Sequence, residues 1–247
     1  MQKYIFFSIG GVYSAFFVTF ATKERRTMVN NWIRRKRNSL GFGVQSPNDF
    51  YFVQNVLREK MHYYGYRDLR DLQRSMASSE GSYPEEINRL LFRLANYAHP
   101  EVIVEVGTGS GLSACAMAIA HFLGRCITIS ERGGIDDVVS AFSQIVVEEG
   151  DEVERFCQIA NRLETIEMLH VAHTEHYQEV VDCALKHVCD RTLFVIEGIR
   201  DSKEKLDWWK SLQGYKPVSV SYDIGNVGLL FFDKHRHKTA YWVNLAE

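Results

Sequence analysis

The stretch "VEVGTGSGLSACAMA", Val104 to Ala118, sets three glycines at alternate positions, Gly107, Gly109 and Gly111, between a β-branched run and a run of small helix formers. Strand, glycine turn and helix in immediate succession is the context that gives a loose glycine pattern meaning. Without side chains the backbone can turn sharply and a ligand can lie against it, at the carboxyl edge of the sheet where open α/β folds bind ligands. The spacing is GxGxG, and Leu112 stands where a GxGxxG dinucleotide fingerprint needs its last glycine, which disfavours an NAD-dependent oxidoreductase.

Outward from this turn the chain alternates short apolar runs with helical stretches, the signature of βαβ units and a mostly parallel sheet. The expected strands are 102–106, 126–130, 155–159, 193–197, 217–223 and 227–233, with a poorly marked one near Met168 to Ala172. Helices are expected at 111–123, 136–148, 175–189 and 202–213. Before the turn, Pro84 to Pro100 has the apolar spacing of an amphipathic helix, and 48–76 reads as helices packing on the larger body. "IGN", Ile224 to Asn226, joins the last two strands closely enough to make them an antiparallel pair.

Polar residues at the expected strand ends are the candidate ligand groups. Glu105 can meet the cationic amino-acid end of S-adenosylmethionine, or cap the helix amides. Ser130 and Glu131 end the second strand, where a carboxylate can bridge two ribose hydroxyls. Asn161, placed past the third strand, is a candidate for an adenine edge, although a loop asparagine can simply turn the chain. His170, His173 and His176 recur every third residue; surface histidines explain that spacing better than a transition-metal site does.

Bulk composition narrows the partners. Lys and Arg total 29 against 31 Asp and Glu, so no global field draws the chain to nucleic acid. Five cysteines without a CxxC pair suit buried thiols in a reducing compartment. Residues Tyr4 to Thr22 carry no charge and are followed by Lys23, Arg25 and Arg26, which places the body of the chain in the cytoplasm if that stretch is a membrane anchor. The alternative is a true start at Met28. The expected organisation is an apolar extension at 1–27, a helical segment at 28–99 and a ligand-binding domain at 100–247.

Three segments carry a resemblance: "GVQSPNDFYFVQNVL", "INRLLFRLANYAHPEVIVEVGTGSGLSACAMAIA", and the end from "FVIEGIRDSKEKLDWWKSL" through "VSVSYDIGNVGLLFFDKHRHKTAYWV". Together they resemble a Bacteroidetes-type group of class I SAM-dependent methyltransferases, related to catechol-type small-molecule O-methyltransferases, over residues 40 to 245. The resemblance implies a Rossmann-like α/β fold, a mostly parallel seven-stranded sheet with a C-terminal antiparallel hairpin and N-terminal helices. It implies S-adenosylmethionine on Glu105, Gly107, Thr108, Gly109, Gly111, Ser130, Glu131 and Asn161, with a small-molecule acceptor opposite. His173 or His176 is then the candidate general base, and Gln45 and Ser46 are lid candidates. The family's metal-holding acids are replaced by His173, Glu197 and Gly198, so the expected chemistry is O-methylation without Mg²⁺. A methyltransferase-fold binding protein that has lost catalysis is the alternative.

Overall fold

A computed structural model describes residues 32–76, 85–131, 139, 141–172 and 174–245. The apolar stretch Tyr4 to Thr22 and the candidate base His173 lie outside the described residues. Helix α1 occupies residues 32–39. It is followed by α2 (Pro47–Phe52), which runs into a π turn over Val53–Leu57, then α3 (Gly65–Ser75) and α4 (Glu85–Ala98). The alternating part comprises β1 (Val102–Val106), α5 (Leu112–Ala120), β2 (Arg125–Ser130), β3 (Ile145–Glu149), α6 (Glu152–Leu163), β4 (Ile166–Val171), α7 (Tyr177–Ala184) and β5 (Val188–Glu197). It closes with α8 (Lys203–Gly214), β6 (Val220–Ile224), β7 (Val227–Phe231) and β8 (Thr239–Trp242).

The strands form one sheet in the order β3-β2-β1-β4-β5-β7-β6-β8. Strands β1 to β5 pair in parallel, and β7 runs antiparallel to both β5 and β6. The expected hairpin is β6–β7, closed by Gly225 and Asn226 with Gly225 at φ 70°. The sheet has eight strands rather than seven, because β8 adds in parallel beyond β6.

The third strand lies ten residues earlier than its expected place. The β-branched run from Ile145 forms β3, and the stretch expected at 155–159 is the middle of α6. The Asp151 side chain caps that helix by accepting from the Glu154 N–H at 2.7 Å. Phe156, Ile159 and Ala160 form its buried face, so the apolar residues of "RFCQI" follow a helical period. The weakly marked strand near 168 is β4, the central strand between β1 and β5, whose polar His170 interrupts an otherwise apolar run.

Alternate strand residues feed two cores. Ile103, Met168, Leu193 and Val195 pack with α2, α4 and α5, while Val104, Leu169, Phe194 and Ile196 pack with α6, α7 and α8. Trp209 of α8 packs against Gly228 of β7, where a Cβ would come within 2.5 Å of the indole. The N-terminal helices are tied to the same sheet. Asp49 of α2 accepts from the Tyr222 hydroxyl at 2.8 Å and the Tyr241 hydroxyl at 3.1 Å, and also pairs with Arg236. Arg35 of α1 donates to the Asp223 carboxylate at 2.7 Å.

Cys157 of α6 and Cys183 of α7 form a disulfide with Cα atoms 6.1 Å apart, in place of the five thiols expected from the sequence. Among the described residues no helix is long and apolar enough to cross a membrane.

Candidate functional site

Strand β1 delivers the chain into the glycine turn between the ends of its two neighbours. The Gly107 and Thr108 amides donate to Ile129 O of β2 at 3.1 and 3.3 Å, and the Ala172 amide beyond β4 donates to Val106 O at 2.9 Å. Gly107, Gly109 and Gly111 have φ of 89°, 53° and 82°. In that region a side chain costs about 1–2 kcal/mol, so glycine is the residue the turn requires. Gly111 is the N-cap of α5 and supplies no side-chain cap to the first-turn amides. Those amides and the partial positive charge of the helix end therefore face the carboxyl edge of the sheet.

Beneath the turn a row of polar side chains crosses four strands. In the sheet register Glu105 of β1 stands opposite Thr128 of β2 and His170 of β4. Thr128 Oγ1 donates to Glu105 Oε1 at 2.7 Å, and Thr108 Oγ1 lies 2.6 Å from Thr128 Oγ1. Because the Thr128 proton is committed to Glu105, Thr108 is the donor in that pair. His170 Nδ1 is 2.7 Å from Glu105 Oε2, and its Nε2 is 2.8 Å from Glu197 Oε1 at the end of β5. Glu105 and His170 are fully buried, and Glu197 nearly so. Desolvation is the largest influence on the ring and opposes its charge; the hydrogen bonds the ring donates to both glutamates, together with their negative charges, outweigh it and push the His170 pKa up to about 9.

A second cluster lies at the ends of β2, β3 and β4. Glu152, buried in the first turn of α6, accepts from the Thr174 hydroxyl, which in turn accepts from the His176 N–H at 3.0 Å. Burial raises the Glu152 pKa, the Thr174 hydrogen bond opposes this, and the charges of Glu131 and His176 act on the same carboxyl. Glu131 is exposed, Ser130 is buried and His176 is half-buried.

The structure thus gathers Glu105, the three glycines, Thr108, Ser130, Glu131 and His176 along one edge of the sheet. It does not bring Asn161 there. That residue is exposed in the last turn of α6, whose direction returns the chain to the start of β4 at the opposite edge. The expectation failed with the strand assignment: the segment leaving β3 begins at Gly150, so Asp151 and Glu152 hold the place given to Asn161. His170 is a core residue and not the surface histidine its spacing implied. Ser46 accepts from the Asp49 N–H as the cap of α2, which packs on β6 and β8. Strand β6 is four strands from β1, roughly 19 Å at the usual spacing. Sequence reasoning also missed Thr128 and His170, although a polar residue inside an otherwise apolar strand is the signal that marks them.

Sheet order and terminal hairpin together can be set beside solved structures. The chain superposes on the O-methyltransferase from Bacillus cereus, crystallised with SAH, with TM-score 0.55 and 16% identity over 73% of this chain and 95% of the other. The fold is that of the class I methyltransferases. The tomaymycin-synthesis O-methyltransferase TomG from Streptomyces achromogenes, solved with SAM, gives 0.54 and 16% over 74% and 94% of the two chains. SAH-bound PaMTH1, a methyltransferase from Podospora anserina, gives 0.54 and 11% over 87% and 98%. No protein-family model and no curated protein matches the sequence. Against this methyltransferase fold β8 is an addition to the seven expected strands, and it lies on the side of the sheet away from the glycine turn.

Proposed function

We propose that the chain is a SAM-dependent methyltransferase acting on a small-molecule acceptor, by O-methylation without a divalent metal. The observation that carries this reading is the left-handed triple-glycine turn, set between β2 and β4 at the carboxyl edge of a methyltransferase-fold sheet. The residues present fit S-adenosylmethionine: the turn offers a side-chain-free cradle, the N-terminus of α5 faces it, and Glu131 offers a carboxylate to ribose hydroxyls. When bound, the cofactor supplies a methyl group activated on a sulfonium.

The protein's part is to hold donor and acceptor in line and to remove the acceptor proton. His176, half-buried at the end of the β4 segment and anchored through Thr174 and Glu152, is the general base in this reading, with His173 as its sequence neighbour in the same role. Glu105 has both oxygens engaged by Thr128 and His170, so a ligand reaches it only by displacing one of them. Its part is to support the turn from beneath.

Mg²⁺ does not fit the strand edge. Glu197 Oε1 is held by His170, and Gly198 brings no side-chain ligand. Among the described residues the side chains grouped at metal-binding distance are Asp190, Asp233 and His235, near the start of β5 at the opposite edge, where Asp190 already pairs with Lys234.

The internal engagement of both Glu105 and Glu197 favours a second reading, a binding protein on a methyltransferase fold. Incubation with methyl-labelled SAM and a panel of phenolic and other hydroxyl acceptors separates the two: label in an acceptor supports the enzyme, and SAH binding without transfer supports the binding protein. The uncharged Tyr4–Thr22 stretch and its cationic flank support a tether to the cytoplasmic face of a membrane; the full chain is expected in the membrane fraction and a chain starting at Met28 in the soluble one.

A further inference from the structure

We propose that His170 is a positioning residue of this site: an imidazolium that fixes Glu105 and Glu197 together and, through Thr128 and Thr108, sets the shape of the glycine turn. The functional part rests on reading that turn as the donor site; the protonation and the link to the turn do not.

The geometry asks for two protons among the ring and the two carboxyl groups, and with both glutamates ionised both protons are on the ring. A neutral imidazole has one N–H and one lone pair, so between two carboxylates one nitrogen would face an oxygen lone pair at hydrogen-bond distance. Here the two distances are 2.7 and 2.8 Å, with the ring fully buried. A ring protonated on both nitrogens donates to both carboxylates. The groups around it are Glu105 on β1 and Glu197 on β5, with Cys126 of β2 and Cys115 of α5 beyond Glu105 and Lys205 of α8 beyond Glu197. The Cys126 thiol is raised by its burial and then by the Glu105 charge, so it is a neutral neighbour. Lys205 adds positive charge on the Glu197 side only.

Each link in the row has one direction: Thr108 donates to Thr128, Thr128 to Glu105, and His170 to Glu105 and to Glu197. Four hydrogen bonds therefore join the middle of the glycine turn to the end of β5. Without the ring the Glu105 carboxylate loses the partner that orients it. Thr128 then loses its fixed acceptor, and Thr108, between Gly107 and Gly109, loses its anchor.

The test uses the full chain with ¹⁵N-labelled histidine and glycine. Long-range ¹H–¹⁵N NMR is expected to show one ring protonated on both nitrogens and unchanged from pH 6 to 8, absent in His170→Gln. The Gly107, Gly109 and Gly111 amide signals of the ligand-free chain are expected to move in that variant. SAH affinity is expected to fall about tenfold. In the native chain that affinity stays flat to pH 8 and declines above about pH 9, and in His170→Gln the decline is missing; a purely structural role would leave the pH profile unaltered. Should His170→Gln not fold, Thr128→Val cuts the link to the turn and keeps the ring, and the same glycine signals are expected to move with His170 still doubly protonated. A neutral ring at pH 7, or glycine signals that stay in place in the folded variant, overturns the proposal. A native chain that binds no SAH defeats the functional reading, while the NMR result still decides the state of His170.

Discussion

Raising the pH should unload His170 and weaken the fold by an amount the structure sets. The ring titrates at about 9 in the folded chain against 6.5 for an ordinary histidine. A folded pKa above the unfolded one means that the folded state holds the proton more tightly. Its contribution is therefore present in full below pH 6.5, falls between 6.5 and 9, and is gone above 9. The difference corresponds to about 3 kcal/mol, or roughly 6–12 °C in Tm for a chain of this size. Urea unfolding of the native chain and of His170→Gln at intervals from pH 6 to 10 gives the comparison. Cys126 and Tyr241, both raised by burial, also titrate in alkali, but they are common to the two proteins and cancel. The native chain should lose about 3 kcal/mol more than the variant over this range. The variant should be the less stable at pH 6, where it leaves two buried carboxylates without their cation. Parallel stability curves from pH 6 to 9 would refute the reasoning.

Gly109→Ala, at φ 53°, should cost about 1–2 kcal/mol of stability in urea, yet weaken SAH binding by about tenfold or more in calorimetry, because the added methyl group enters the cradle. Glu152→Gln should stabilise the fold at pH 8 relative to pH 4: burial raises the Glu152 pKa, so its ionised form is a cost that grows with pH and that the amide removes. If Glu152 also contacts the cofactor, the same variant binds SAH more weakly. Asp49→Ala should cost about 3–5 kcal/mol, since it leaves the half-buried Arg236 without its carboxylate and the Tyr222 and Tyr241 hydroxyls without their acceptor, read as a lower urea midpoint. Gly228→Ala should cost about 1–3 kcal/mol by forcing Trp209 off the sheet, with a red shift in tryptophan emission.

Where local pattern and final environment agree, the sequence was readable. The β1–turn–α5 unit, β2, β5, α8 and the terminal hairpin carry their signals within a few residues: β-branched runs, helical apolar spacing and glycines at tight turns. The readings failed where one composition serves two periods. "RFCQI" is apolar enough for a short strand, and only the capping Asp151 and the buried spacing of Phe156, Ile159 and Ala160 decide for a helix. That slip moved the adenine candidate to Asn161 and concealed Glu152. Strand β4 was faint because His170, a polar residue in the middle of the sheet, is stable there only through partners 65 and 27 residues away in sequence. The Cys157–Cys183 disulfide likewise depends on two helices meeting, which spacing along the chain does not reveal. Strand β8 forms beyond the expected seven through pairing with β6, not through a strong pattern of its own.

The central claim is that the glycine turn holds the methyl donor. Isothermal titration of the folded full chain with SAH at pH 7, with NAD as control, tests it most directly. Binding in the micromolar range, weakened about tenfold or more in Gly109→Ala and absent for NAD, is the predicted result. A well-folded chain that gives no heat with SAH or SAM, or that binds NAD in their place, would contradict it.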